Sequence, residues 1–190
     1  MALVFPDTAE NYKAFFEELA KTHKSIRHLE DPGRDNFCLV SVGTSVPGLS
    51  SDDVRAYLKK INGGRALMKA SEENCQMVLI QMDTEATSEQ FKMNMHSTFA
   101  SFLILTRPKR ESIADRDEAA AACYRVGREL LSAIKHFFNT NALKGRITKM
   151  DEESARIDSY VGWRFDLEYD VYGSLCYNAD NFTNLTITEL

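Results

Sequence analysis

Between residues 163 and 171 the chain alternates strictly, with Trp163, Phe165, Leu167, Tyr169 and Val171 set against Arg164, Asp166, Glu168 and Asp170. Successive side chains of a strand point to opposite faces, so this pattern predicts a strand with one buried aromatic face and one charged, wet face. A strand of that kind needs a sheet around it and a layer packed against one side. The layer is predicted at residues 117–138, where Ala119, Cys123, Val126, Leu130, Ile134 and Phe137 fall at helical spacing, opposite Arg125, Arg128, Ser132 and Lys135. Gly127 lies inside that helix at a cost of about 1 kcal/mol relative to Ala, which is accepted more easily where a strand or a second chain comes close.

The rest of the chain supplies the other elements. Asp7 is placed to cap a first amphipathic helix ending near His23, with Ala9, Tyr12, Phe15, Phe16, Leu19 and Ala20 on one face and Lys13, Glu17 and Lys21 on the other. Residues 31–35 form a turn by composition, and residues 37–42 a buried strand. Ser50 or Ser51 caps a short helix that ends near Ile61. Asn62-Gly63-Gly64 then stops it as a left-handed cap, since no phosphate-loop frame surrounds the glycines. Residues 76–82 read as a strand, 83–89 as a polar connection, and 91–106 as a long strand that is two-sided toward its end. Residues 146–150 and 155–161 read as a hairpin across an acidic turn at Asp151-Glu152-Glu153. The predicted fold is α+β: a mixed, mostly antiparallel sheet with one long helix packed across it and an N-terminal amphipathic helix. It is expected as a single domain over residues 1–190, with an insertion at 45–73 and a flexible docking tail at 173–190.

Composition narrows the function. A chain of 190 residues with 44% hydrophobic content suits one sizeable core. Its formal net charge of −5 lacks the basic excess of a protein that wraps nucleic acid, so nucleic acid is not the expected partner. No apolar run approaches the roughly 20 residues that cross a bilayer. The first residues carry no basic run before Pro6 and Asp7, so export is not expected and a cytoplasmic location is. Cys38, Cys75, Cys123 and Cys176 lie far apart and read as reduced, mostly buried thiols.

Chemistry-bearing residues are sparse. His23, His28, His96 and His136 have no zinc-like spacing, and Ser97 lacks the Gly-x-Ser-x-Gly frame of a nucleophile elbow. No catalytic, metal or cofactor site is therefore expected. Asp166, Glu168 and Asp170 share one strand face, but residues two apart on a strand are about 7 Å distant, which suits a solvated or interfacial face better than a cation site. The basic concentration at Arg107, Lys109 and Arg110, with Arg125 and Arg128 further on, could meet nucleic acid but suits an acidic neighbouring subunit better, since Asp166, Glu168 and Asp170 provide the complement. The alternative is a small-ligand-binding or enzymatic domain with a pocket between the long helix and the sheet, lined by Met93, Met95, Phe99 and Trp163.

The order of these elements resembles the tail-terminator and neck (tail-completion) proteins of tailed phages and prophages. The resemblance is carried by residues 99–105, the helix at 117–138 and residues 162–171, roughly the second half of the chain, while 45–73 departs from it as an insertion. Residues 175–182 are similar to the ends of minor structural proteins of prophages. The resemblance implies a non-enzymatic virion structural protein that acts by ring-like oligomerisation and by contact with other tail or head-tail connector proteins. It would act first in the host cytoplasm and then in the virion. The contact surfaces it implies are the sheet edge, the Arg107 to Arg110 loop and the tail, including Tyr177 and Phe182.

Overall fold

The computed structural model describes residues 3–29, 36–40, 75–87, 95–110, 112–157 and 159–172, with the backbone alone at 81–87 and 95. The turn at 31–35, the helix ending near Ile61 with its glycine cap, the insertion at 45–73, Met93 and the tail at 173–190 with Tyr177 and Phe182 lie outside the described residues.

The described residues form two helices, α1 (Ala9–Thr22) and α2 (Ile113–Thr140), and five strands, β1 (Phe37–Val40), β2 (Gln76–Thr87), β3 (Met95–Thr106), β4 (Gly145–Ile157) and β5 (Tyr160–Tyr172). The strands lie in the order β1-β2-β3-β5-β4, with β1 parallel to β2 and every other neighbour antiparallel. This is the predicted α+β fold with a mixed, mostly antiparallel sheet.

Thr8 caps α1, not Asp7: its hydroxyl oxygen accepts from the Asn11 N–H at 3.2 Å, while Asp7 takes the Asn11 side-chain amide at 2.7 Å. Tyr12, Phe15, Phe16, Leu19 and Ala20 are buried, as their spacing predicts. α2 starts four residues earlier than residue 117, because Ser112 accepts from the Asp115 N–H at 3.1 Å and its hydroxyl donates to the Asp115 carboxylate. Its apolar stripe packs down on β3 and β5. A Cβ built on Gly127 would lie 2.0 Å from the Phe165 ring, so the close approach inside this helix is made by β5.

The main core lies between the two helices and one sheet face, where Met77, Leu79, Phe102, Ile104, Phe165, Leu167 and Tyr169 meet Phe16, Val126, Leu130 and Phe138. Each such side chain contributes roughly 1.5–3 kcal/mol by leaving water. On the opposite face Val40, Val78, Ile80, Leu103, Leu105, Ile157 and Tyr160 form a second buried cluster. β3 is thus buried on both sides toward its end, as its two apolar phases predict.

Two predicted connections are strands instead. β2 continues to Thr87 after a register shift between Ile80 and Asp83, pairing residues 83–87 with 95–99 of β3. Asp151-Glu152-Glu153 is no turn: β4 runs straight through it, opposite residues 164–166 of β5, and the chain reverses between Ile157 and Tyr160. β4 is an edge strand with most of its residues exposed, so its pairing rests on the backbone ladder and leaves no apolar alternation to read.

Candidate functional site

Away from the helices, β3, β5 and β4 present a face built in rows, because opposed residues of antiparallel neighbours point to the same side. The rows are Ser97, Asp170 and Arg146; then Phe99, Glu168 and Lys149; then Ser101, Asp166 and Asp151; then Leu103, Arg164 and Glu153. These rows hold five carboxylates and three cations, an acidic excess of two.

Asp166, Glu168 and Asp170 do lie together on it, but they differ in availability. Asp170 accepts from Ser97 Oγ at 3.0 Å and from Arg146 Nε at 2.9 Å, and it is 3% exposed. The expectation that this whole strand face is wet therefore fails at Asp170, which its row partners cover. Arg164 Nε donates to Asp166 at 2.9 Å and to Ser101 Oγ at 3.1 Å. Lys149 lies 2.6 Å from Asp151, and the hydrogen bond with that carboxylate raises the ammonium pKa. Phe99, 42% exposed, stands in the row with Glu168 and Lys149.

The basic residues lie elsewhere. Arg107, Lys109 and Arg110 are exposed in the connection from β3 to α2, beyond the Thr106 and Val161 pair. Asp166 is opposite Ser101, six residues back from Arg107, and a strand rises about 3.3 Å per residue, so roughly 20 Å separates the loop from Asp166, with Glu168 and Asp170 farther along. Arg125 and Arg128 are exposed on α2, on the other side of the sheet, and Arg128 pairs with Glu152 of β4. The basic loop and the acidic face therefore do not meet within one chain.

The histidines are placed apart. His23 Nδ1 accepts from the Ser25 N–H at 3.2 Å and its Nε2 lies 3.0 Å from Glu129, while His28 is buried beside Phe37. His96 belongs to the helix side of β3, so it is not between Ser97 and Asp170. Among the described residues no group of three or more His, Cys, Asp or Glu is arranged to hold a metal ion.

The pocket expected between the long helix and the sheet is not built from Phe99 and Trp163. Phe99 belongs to the open face, whereas Trp163 pairs with Ile104 on the helix side and packs on Tyr124 at 4.7 Å between ring centres. Phe165, stacked on Phe102 at 5.2 Å and pressed against Gly127, fills the space under α2. A cavity of about 570 Å³ lies instead at the end of α1, lined by Lys21, His23, Lys24, Arg27, His28 and Leu29 among others. Arg27 and Leu29 there have φ of 50° and 59°, the left-handed region that non-glycine residues seldom adopt. Nothing in the spacing of these residues signals it.

Sequence distance also concealed a pair of thiols. Cys75 and Cys123 are buried with their sulfurs 3.9 Å apart, and the Cys75 contact together with burial pushes the Cys123 thiol far up. No helix among the described residues is long and apolar enough to cross a membrane. No protein-family model matches the chain, and no curated protein matches it.

Proposed function

We propose that this chain is a non-enzymatic assembly subunit of a phage or prophage tail, acting by ring-like oligomerisation and by contact with neighbouring virion proteins. The observation that carries the reading is the separation of complementary charge along one sheet, with Arg107, Lys109 and Arg110 beyond one end of β3 and Asp166 roughly 20 Å back along it. The loop of one copy can reach the acidic face of the next. A head-to-tail contact of this sort closes into a ring when its rotation permits. Phe99 gives the contact an apolar centre, with charges around it as rim.

Native mass by light scattering, across protein and salt concentration, tests the reading. A defined multiple of the 21.5 kDa chain that loosens as salt rises is expected, since exposed charges are screened. A monomer under every condition overturns it. A second reading, a small-ligand-binding domain, is favoured by the cavity at the end of α1 with Lys21, Lys24 and Arg27 on its wall. A phosphorylated-metabolite panel tests that reading, because a ligand at a hundred times its dissociation constant adds about 2.7 kcal/mol of stability. Unchanged melting across the panel removes it.

A further inference from the structure

We propose that the outer edge of β4 pairs with β4 of a second copy, antiparallel and centred on Met150, so that two sheets join into one. Among the described strands β4 stands last in the order β1-β2-β3-β5-β4 and is 13 residues long, so its outer side carries a row of backbone donors and acceptors. The Tyr172 N–H donates to the Lys144 carbonyl at 2.8 Å, which fixes the phase of the ladder. Alternate residues of β5, from Tyr172 back through Asp170, Glu168 and Asp166, turn their backbone groups toward β4. Beyond the irregularity between Ile147 and Lys149 their partners are Lys149 and Asp151, which leaves Met150 and Glu152 with N–H and C=O directed outward. Met150 is also an exposed large hydrophobic side chain, at 39%, on a strand where six of the other twelve residues are charged.

A two-fold axis at Met150 sets this side chain against its own copy and puts Lys149 opposite Asp151 of the other chain, twice. Within one chain the same two groups are 2.6 Å apart and 63% and 59% exposed, so they exchange partners with little movement. An axis at Glu152 would instead oppose Asp151 and Glu153, twice. An axis at Ser154 would carry Met150 past Ile157, where the partner strand ends. Only the first of these registers pairs opposite charges around an apolar centre, and because it is self-complementary the occupant is a second copy of this chain.

The interface rests on the assembly reading in one respect, that the chain self-associates. Light scattering and mild oxidation with oxidised glutathione test it together, wild type serving as control for the native cysteines. The Met150→Cys variant is expected to form a cross-linked dimer that wild type does not. Lys149→Asp alone and Asp151→Lys alone should each weaken dimerisation at least tenfold, and the two together should restore it. Self-association that persists through both single reversals, with no cross-link at position 150, overturns the interface and leaves the assembly reading intact. A β4-dependent dimer that never forms larger species, and ignores Arg107→Glu with Arg110→Glu, overturns the ring and leaves the interface. A monomer throughout overturns both.

Discussion

At Gly162 β5 lies tight against the β3 backbone: a Cβ built there would stand 1.9 Å from the Ile104 carbonyl oxygen. Gly127 is as crowded, but its neighbour is a side chain, the Phe165 ring at 2.0 Å. The two glycines should therefore respond differently to the same substitution. Gly127→Ala is expected to cost about 1–3 kcal/mol by overpacking, and Phe165→Leu in the same chain to recover part of that cost. Gly162→Ala meets backbone, so it should cost at least as much with no side-chain partner to relieve it. Urea unfolding of the singles and the double checks both, and equal rescue at the two sites would contradict the packing described. Tyr12 and Tyr169 act at the same scale. Each is buried and donates to a carbonyl, Ile80 at 2.7 Å and Pro6 at 3.0 Å, and burial raises both phenol pKa values. An unfolded tyrosine loses its proton near pH 10 while these keep theirs, so the stability they contribute is whole below about pH 10 and is lost as pH rises toward their folded values. Denaturation midpoints should fall from pH 8 to pH 11. Tyr12→Phe should lower stability at pH 8 by about 1–3 kcal/mol, because the Ile80 carbonyl loses its donor, and should flatten the alkaline decline.

Among the elements, legibility follows burial. β5 was readable because one of its faces is pressed between α2 and the sheet while the other is charged, and nothing blurs a period of two. α2 was readable over the stretch where Cys123, Val126, Leu130 and Ile134 face the core. Its first turn was not, since Ile113 is 78% exposed and the starting signal is the Ser112 to Asp115 cap, not an apolar stripe. That cap is exposed and local, so Ser112→Ala should cost about 1 kcal/mol and fray only the first turn, a change that amide hydrogen exchange would resolve residue by residue. Loss of protection extending to Leu130 would mean that the cap holds more than one turn. β4 misled for the opposite reason. Asp151, Glu152 and Glu153 have turn-like composition, but a strand solvated along most of its length pairs through its backbone and tolerates any side chain that water accepts. The same holds for residues 83–87 of β2, whose pairing with β3 is set by a register shift that no composition rule reports.

For the whole molecule, the residue types of the candidate surface were legible and their placement was not. Sequence spacing shows that Asp166, Glu168 and Asp170 share a face, but not that Ser97 and Arg146 close over Asp170, or that Arg125 and Arg128 lie across the sheet from it. Those facts come from strand order, which depends on contacts between residues far apart in the chain. The strand order also separates two proposed kinds of contact, a head-to-tail one from the Arg107 to Arg110 loop to the acidic rows and a two-fold one along β4. They should come apart in a fixed sequence as salt rises. The loop contact is made by exposed charges, and the screening length shrinks from about 10 Å at 0.1 M to about 3 Å at 1 M. The β4 contact keeps its backbone hydrogen bonds and the Met150 pair, which salt leaves largely intact. Sedimentation velocity should therefore show larger species giving way to a dimer before any monomer appears, and Arg107→Glu with Arg110→Glu should yield that dimer already at low salt. A direct passage from the larger species to monomer would mean that one contact depends on the other, and that the β4 edge does not hold two chains by itself.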